Sequence, residues 1–266
     1  MKKHVPIIAF LLFACNLSHA QILHTENFSV ILDTAKNFKG NILPSFKYQN
    51  LREDLIKFEN TADFSLRFGQ NALTMANRFE LSKFGEETFQ SGGYVYLEYR
   101  AISKASPFAL EPYGQVHWNE VRGLDRKYAG GLNFRWRIVS NETTGFFAGI
   151  GPFYEFERWD FRGVRANVEL PNDRSPIERE LWRLGSYISF KQEVAEKVIL
   201  DFSVYYQNSY DQLFTDPRLG SSARITYMLT KFLGLTLLYQ NIYDPAPLVP
   251  IPELFHDLTF SVNISL

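Results

Sequence analysis

Apolar and polar residues alternate one by one in stretches too long for ordinary soluble strands, and this period constrains the fold more than any other feature of the chain. Near the C-terminus Leu258, Phe260, Val262, Ile264 and Leu266 interleave with Thr259, Ser261, Asn263 and Ser265. Val198, Leu200, Phe202, Val204 and Tyr206 interleave with Asp201, Ser203, Tyr205 and Gln207, and Leu132, Phe134, Trp136 and Ile138 with Asn133, Arg135 and Arg137. Successive side chains of a strand point to opposite faces, so each stretch has one apolar and one polar face. Such stretches occupy roughly 40–49, 56–69, 73–84, 90–103, 108–120, 126–140, 145–158, 181–191, 197–208, 218–230, 233–242 and 256–266. A soluble sandwich manages with strands of about five or six residues. A membrane barrel needs about 9–11, with aromatics at both interfaces. The chain supplies 24 Phe, 14 Tyr and 4 Trp, and Trp118, Trp136, Trp182, Tyr206 and Tyr239 fall near the ends of apolar faces. The expected fold is all-β: an antiparallel transmembrane β-barrel of about twelve strands, with ten or fourteen as the neighbouring counts. Leu132, Phe134, Trp136, Leu200, Phe202, Val204, Phe260, Val262 and Ile264 are expected to face lipid.

The first twenty residues read as an export signal: Lys2 and Lys3, an apolar run from Val5 to Ala14, then Ser18-His19-Ala20 before Gln21. Lipidation at Cys15 is the weaker alternative, because Phe13 is bulky for that processing. Residues 21–35 read as a leading periplasmic segment and 36–266 as the barrel. A thirteenth strand around Phe28, Val30 and Leu32 would break the even count expected of a bacterial barrel. No window holds eighteen consecutive apolar residues, so a transmembrane helix is excluded. After cleavage the chain carries 26 cationic and 29 anionic side chains and no cysteine, which speaks against nucleic acid, disulfides and thiolate zinc. Short links follow the strands ending near Gly69, Ser103, Ser140, Lys191 and Thr230, whereas 159–180 and 243–255 are longer. Barrels of the outer membrane keep short turns in the periplasm, which puts both barrel termini there. Pro44, Pro112 and Pro152 fall inside strands, where each removes a ladder hydrogen bond and blurs the boundary. Gly92-Gly93, Gly130-Gly131, Gly149 and Gly151 offer room for curvature.

Chemistry is harder to find. The mature chain keeps His24, His117 and His256, none two residues from a serine on one strand face and none at metal-ligand spacing. Alternation instead turns Glu98, Arg100, Glu111, Arg135, Arg137, Glu155, Glu157, Arg183 and Asp201 into the lumen. Mixed-sign ladders on neighbouring inward faces let a narrow barrel satisfy its own interior. Arg135 and Arg137 are expected to meet Glu155 and Glu157 on the next strand. No catalytic residue, metal site or cofactor is expected. The functional reading is a non-enzymatic barrel, either a narrow channel or an envelope component. The alternatives are a barrel enzyme acting on lipid or lipopolysaccharide, and a docking or adhesion module using loop 159–180 with its mixture of Arg162, Arg165, Arg174, Arg179, Glu169, Asp173, Glu178 and Glu180.

The order of several motifs carries a family resemblance. Asp33-Thr34-Ala35-Lys36-Asn37-Phe38-Lys39-Gly40 precedes the first long strand, followed by Gly92-Gly93, Tyr128-Ala129-Gly130-Gly131-Leu132-Asn133-Phe134-Arg135 and Gly149-Ile150-Gly151-Pro152-Phe153-Tyr154-Glu155-Phe156-Glu157. Over about residues 26–266 the chain resembles the outer-membrane barrel family that includes the salt-induced outer membrane protein of Gram-negative bacteria. The resemblance implies an outer-membrane barrel with no catalytic set. The expected partners are outer-membrane lipids and, through the C-terminal strand, the barrel assembly machinery; Leu266 stands where many such barrels end in an aromatic.

Overall fold

The computed structural model describes residues 37–265 apart from 51–53, 85–86, 103–105, 142 and 213. The expected signal peptide, the leading segment to residue 36, Cys15, His24 and Leu266 lie outside the described residues. The alternating stretches form β1 (Phe38–Asn50), β2 (Asp54–Phe68), β3 (Asn71–Phe84), β4 (Glu87–Ile102), β5 (Phe108–Asn119), β6 (Leu124–Ser140), β7 (Thr144–Trp159), β8 (Ile177–Ala195), β9 (Val198–Ser209), β10 (Arg218–Met228), β11 (Leu233–Tyr243) and β12 (Leu254–Ser265). Each strand pairs antiparallel with its chain neighbours, and β1 closes on β12 with Asn41 opposite Ser265 and Ile42 opposite Ile264. The result is a closed barrel of twelve strands, with a short seam where β1 meets β12.

The strand boundaries differ most from the sequence reading at β8. β8 extends past 181–191 at both ends, because β7 continues to Trp159 and places it opposite Ile177. Arg179 therefore belongs to a strand and not to the long loop. Pro44, Pro112 and Pro152 do not interrupt β1, β5 and β7; they keep register with Asn60, Leu132 and Leu184. All three point outward, where an apolar ring suits the face and offsets part of the lost ladder bond.

One end of the barrel, the turn end, carries the short links after β2, β4, β6, β8 and β10, together with the strand ends Phe38 and Ser265. The other carries 120–123, 160–176, 210–217 and 244–253. Not every link at this loop end is long, since β2 begins at Asp54 soon after β1 ends at Asn50 and β4 at Glu87 soon after β3 ends at Phe84. The links after β5 and β7 lock together. Asp160 N–H donates to Gly123 O at 2.8 Å, and Gly123 has φ +78°. A Cβ on Gly123 would lie 2.3 Å from Asp160 O, so only glycine permits this approach.

β7 shows how the alternation is used: Phe147, Gly149, Gly151, Phe153, Glu155, Glu157 and Trp159 face inward and are buried. Leu132, Phe134, Trp136, Phe202, Val204, Phe260, Val262 and Ile264 are exposed on the outer surface, with Leu200 half-buried among its outer neighbours. Aromatics gather at both ends of this surface. Phe108 stacks on Phe134 at 4.9 Å near the turns, and Tyr154 meets Trp182 edge-on at 5.5 Å near the loops. An apolar outer band between two aromatic girdles is what a bilayer demands of a barrel. The interior is not purely charged: Phe153 and Ile242 pack with Ala129, Tyr113 and Tyr205, and Tyr94 with Tyr96.

The face assignment has a direct test. Phe202 lies outward in mid-strand, whereas Phe214 lies on the link after β9 and is 94% exposed. In lipid vesicles Phe202→Arg should lower stability to urea by roughly 2–4 kcal/mol, while Phe214→Arg should cost less than about 0.5 kcal/mol. Equal losses would show that the outer band does not sit in hydrocarbon.

Candidate functional site

Closing the sheet points one side chain in two at a confined interior, and the charged ones must find partners there. Two clusters organise the middle and the loop end of the lumen. In the first, Glu111 of β5 is fully buried and accepts from Arg100 Nε at 2.6 Å, Arg135 Nη1 at 2.8 Å and the Tyr187 hydroxyl at 2.6 Å. Glu98 accepts from Arg100 Nη2 at 2.6 Å and from the Tyr96 hydroxyl at 2.9 Å. Tyr187 starts on β8 and crosses the inner faces of β7 and β6 to reach β5. Gly149 makes this possible, because a Cβ there would lie 2.2 Å from the tyrosine ring. Arg135 also places its guanidinium 3.8 Å from the centre of the Phe147 ring, a cation–π contact in a desolvated setting.

The second cluster is centred on Glu155 and Glu157 of β7. Glu155 is held by Arg183 Nε at 2.9 Å, Arg218 Nη1 at 2.6 Å and Lys127 Nζ at 2.8 Å. Glu157 is held by Arg179 Nε at 2.8 Å, Arg218 Nη2 at 2.9 Å and Trp159 Nε1 at 3.2 Å. Arg218 reaches from β10 to β7, and its Nε donates to Asp244 at 2.7 Å on the link after β11. That link folds inward, burying Val249 and Ile251 against Leu124 and Trp159. A third tie runs from Arg78 of β3 to Asp257 of β12 at 2.9 Å and to Gln240 of β11 at 3.2 Å. Three sets of side chains thus bridge strands that are not neighbours in the sheet.

The expected pairing of Arg135 and Arg137 with Glu155 and Glu157 is not formed. The hairpin through 141–143 sets Arg135 opposite Gly149 and Glu157 opposite Lys127. Six residues of strand separate Arg135 from the level of Glu155, roughly 20 Å at 3.3 Å per residue. Arg137 instead donates to Ser106 O at 3.3 Å. Asp201 lies 3.9 Å from Lys191, nearer the turns. Lys127, Arg179, Arg218, Tyr187 and Asp244 were missed as network members. The parity of Arg218, Gly220, Ser222, Arg224 and Thr226 carried the inward signal for Arg218, and Lys127 shares a face with Arg135. Nothing local marks Tyr187 or Asp244.

His117 is buried in the lumen and meets Tyr94 edge-on at 6.4 Å, while His256 is exposed on β12. Among the described residues no three metal-ligating side chains gather at one point. Of the residues expected in loop 159–180, Arg162 pairs with Asp160 at 2.6 Å, and Glu180 lies in β8 and accepts from the Tyr154 hydroxyl at 2.6 Å on the outer face.

The turn end of the lumen has a different character. Asn41 Nδ2 donates to Asp63 at 2.9 Å, Ser203 to Ser189 at 3.3 Å, and Thr226 and Thr236 share a hydrogen bond of 3.0 Å. Asp63 Oδ1, Asp201 Oδ1, Thr74 Oγ1, Ser261 Oγ and Asn263 Oδ1 are buried without a side-chain or backbone donor among the described residues. Polar atoms of this kind are satisfied by water, and they occur toward the loops as well, at Gln115 and Gln207 Oε1.

No protein-family model matches the chain, and no curated protein matches it. Among solved structures it is similar to the NanC porin, at 9% identity over 86% of this chain and 98% of that one with a TM-score of 0.45. It is also similar to the KdgM porin, at 10% identity over 86% and 97% with a TM-score of 0.43. A further likeness is to the CymD monoaromatic hydrocarbon channel, at 8% identity over 86% of each chain with a TM-score of 0.34.

Arg218 ties three carboxylates at once, so its removal leaves buried charge uncompensated. Arg218→Met should destabilise the barrel by about 3–5 kcal/mol. Adding Glu155→Gln and Glu157→Gln should restore part of that loss. Heat-modifiable gel mobility and urea unfolding report both changes. A single variant as stable as the wild type would show that the tie across β7 to β10 carries no energy.

Proposed function

We propose that the protein is a narrow, anion-preferring channel of a Gram-negative outer membrane, with both barrel termini on the periplasmic side. The observation that carries this reading is the charge of the turn half of the lumen. On its inward faces, among the described residues, Lys39, Arg67, Arg137, Lys191 and Arg224 stand against Asp63, Asp201 and Glu193. A confined, partly desolvated passage with an excess of one sign favours ions of the other. The termini share the end that bears the short turns, which supports the orientation. The bridged clusters and the inward link 244–253 narrow the loop end, so any pathway there is smaller than that of a wide porin. The Tyr128–Arg135 and Gly149–Glu157 motifs support grouping the chain with the salt-induced outer membrane protein. The alternating C-terminal strand suits handling by the assembly machinery.

Refolded protein in a planar bilayer under a potassium chloride gradient should give small unitary conductances with a reversal potential on the chloride side. Replacing Lys39, Arg67 and Arg137 together by serine should move that potential toward zero or past it, since three of five cations at this end are lost. A bilayer that stays silent across both polarities, or a reversal potential indifferent to the triple change, would overturn the proposal.

A further inference from the structure

A cavity of about 470 Å³ opens toward the loop end between β8, β9 and β10. Its volume is that of a pocket for a small organic molecule. Its floor includes Arg179, Arg183 and Arg218. These guanidiniums are unequally engaged. Arg218 commits all three nitrogens: Nε to Asp244, Nη1 to Glu155 and Nη2 to Glu157. Arg179 commits Nε and one Nη to the same oxygen of Glu157. Arg183 commits only Nε, to Glu155 at 2.9 Å. Among the described residues, both terminal nitrogens of Arg183 and one of Arg179 have no protein acceptor.

Arg183 is nevertheless buried, with 5% of its surface exposed. A guanidinium presents five donors in a planar fork that matches a carboxylate, and the uncommitted ones of Arg183 belong to a side chain that lines the cavity. The charge count agrees with the geometry. Lys127, Arg179, Arg183 and Arg218 face Glu155, Glu157 and Asp244, which leaves one positive charge over. The mouth of the cavity bears the opposite sign: Asp211 and Asp216 line it and are exposed. Asn208 fixes that rim by donating to the Gln212 and Thr215 carbonyl oxygens.

We infer that this cavity is a binding subsite for a small solute bearing a single carboxylate, with Arg183 and Arg179 gripping the anionic group and Asp211 and Asp216 rejecting further negative charge. A monoanion neutralises the residual charge at the floor. A second carboxylate on the same molecule is forced toward the acidic rim. The proposal deepens the channel reading by naming a solute class. Binding in detergent needs no conduction, so the two readings fail separately.

Calorimetric titration of the refolded full-length protein in detergent at low ionic strength, with gluconate, glucose and citrate as probes, tests this. Gluconate should bind at least tenfold more tightly than glucose and more tightly than citrate. Arg183→Gln should weaken gluconate at least tenfold, whereas Arg78→Gln, at the tie on the other side of the lumen, should leave it unchanged. The exposed pair Asp211→Asn with Asp216→Asn does not touch the buried network, so it remains informative if Arg183→Gln fails to fold. That pair should tighten citrate more than gluconate. Gluconate binding no better than glucose, equal effects of the Arg183 and Arg78 variants, or citrate indifferent to the rim change would each overturn the assignment. Binding as expected in a protein that conducts no ions would retain the subsite and remove the channel.

Discussion

Hydrogen bonding of β1 to β12 closes the sheet, and the rest of the molecule follows from that closure. A ring of strands satisfies its backbone internally and therefore tolerates an apolar exterior against lipid. The same ring confines every second side chain to a shared interior. In this chain many of those side chains are charged, and removal from bulk water makes an unpaired one expensive. The interior must solve its electrostatics among its own members.

It does so by reaching across the barrel rather than along the ladder. Neighbouring strands supply some partners, as Lys127 does for Glu155. The long ties are different in kind. Tyr187 crosses two strands to Glu111, Arg218 joins β10 to β7, and Arg78 joins β3 to β12. Each tie couples regions that the hydrogen-bonded sheet connects only the long way round. Each also occupies cross-section, so the clusters that stabilise the barrel also narrow it. Toward the turns these ties give way to small polar side chains and a surplus of cations.

The loop end couples this network to the surface. Asp244 belongs to the link after β11 yet ends in the buried cluster on Arg218. Val249 and Ile251 of the same link seal on Leu124 and Trp159. The arginines on the far side of that cluster retain donors turned into the cavity beneath 210–217. Stability, narrowing and recognition thus draw on one set of buried guanidiniums, and a change at one of them moves all three properties.

The period-two pattern, with the length of its stretches, was enough to read a barrel of about twelve strands and the face of most strand residues, because a side chain's direction on a strand depends only on parity. Glu111, Glu155, Glu157, Arg135 and Arg183 were legible as inward for that reason. Pairing was not, because it depends on register and on contacts across the lumen. Arg135 and Glu155 look like partners when only parity is counted, yet the turn at 141–143 sets them some six residues apart along the barrel. The extension of β8 that brings Arg179 inside follows from the length of its neighbour β7. Gly149 reads as a curvature residue in the sequence, and only the tertiary structure reveals the Tyr187 ring lying over it. Local alternation determines which way a side chain points, whereas closure and register decide what it meets there, and those are properties of the whole ring.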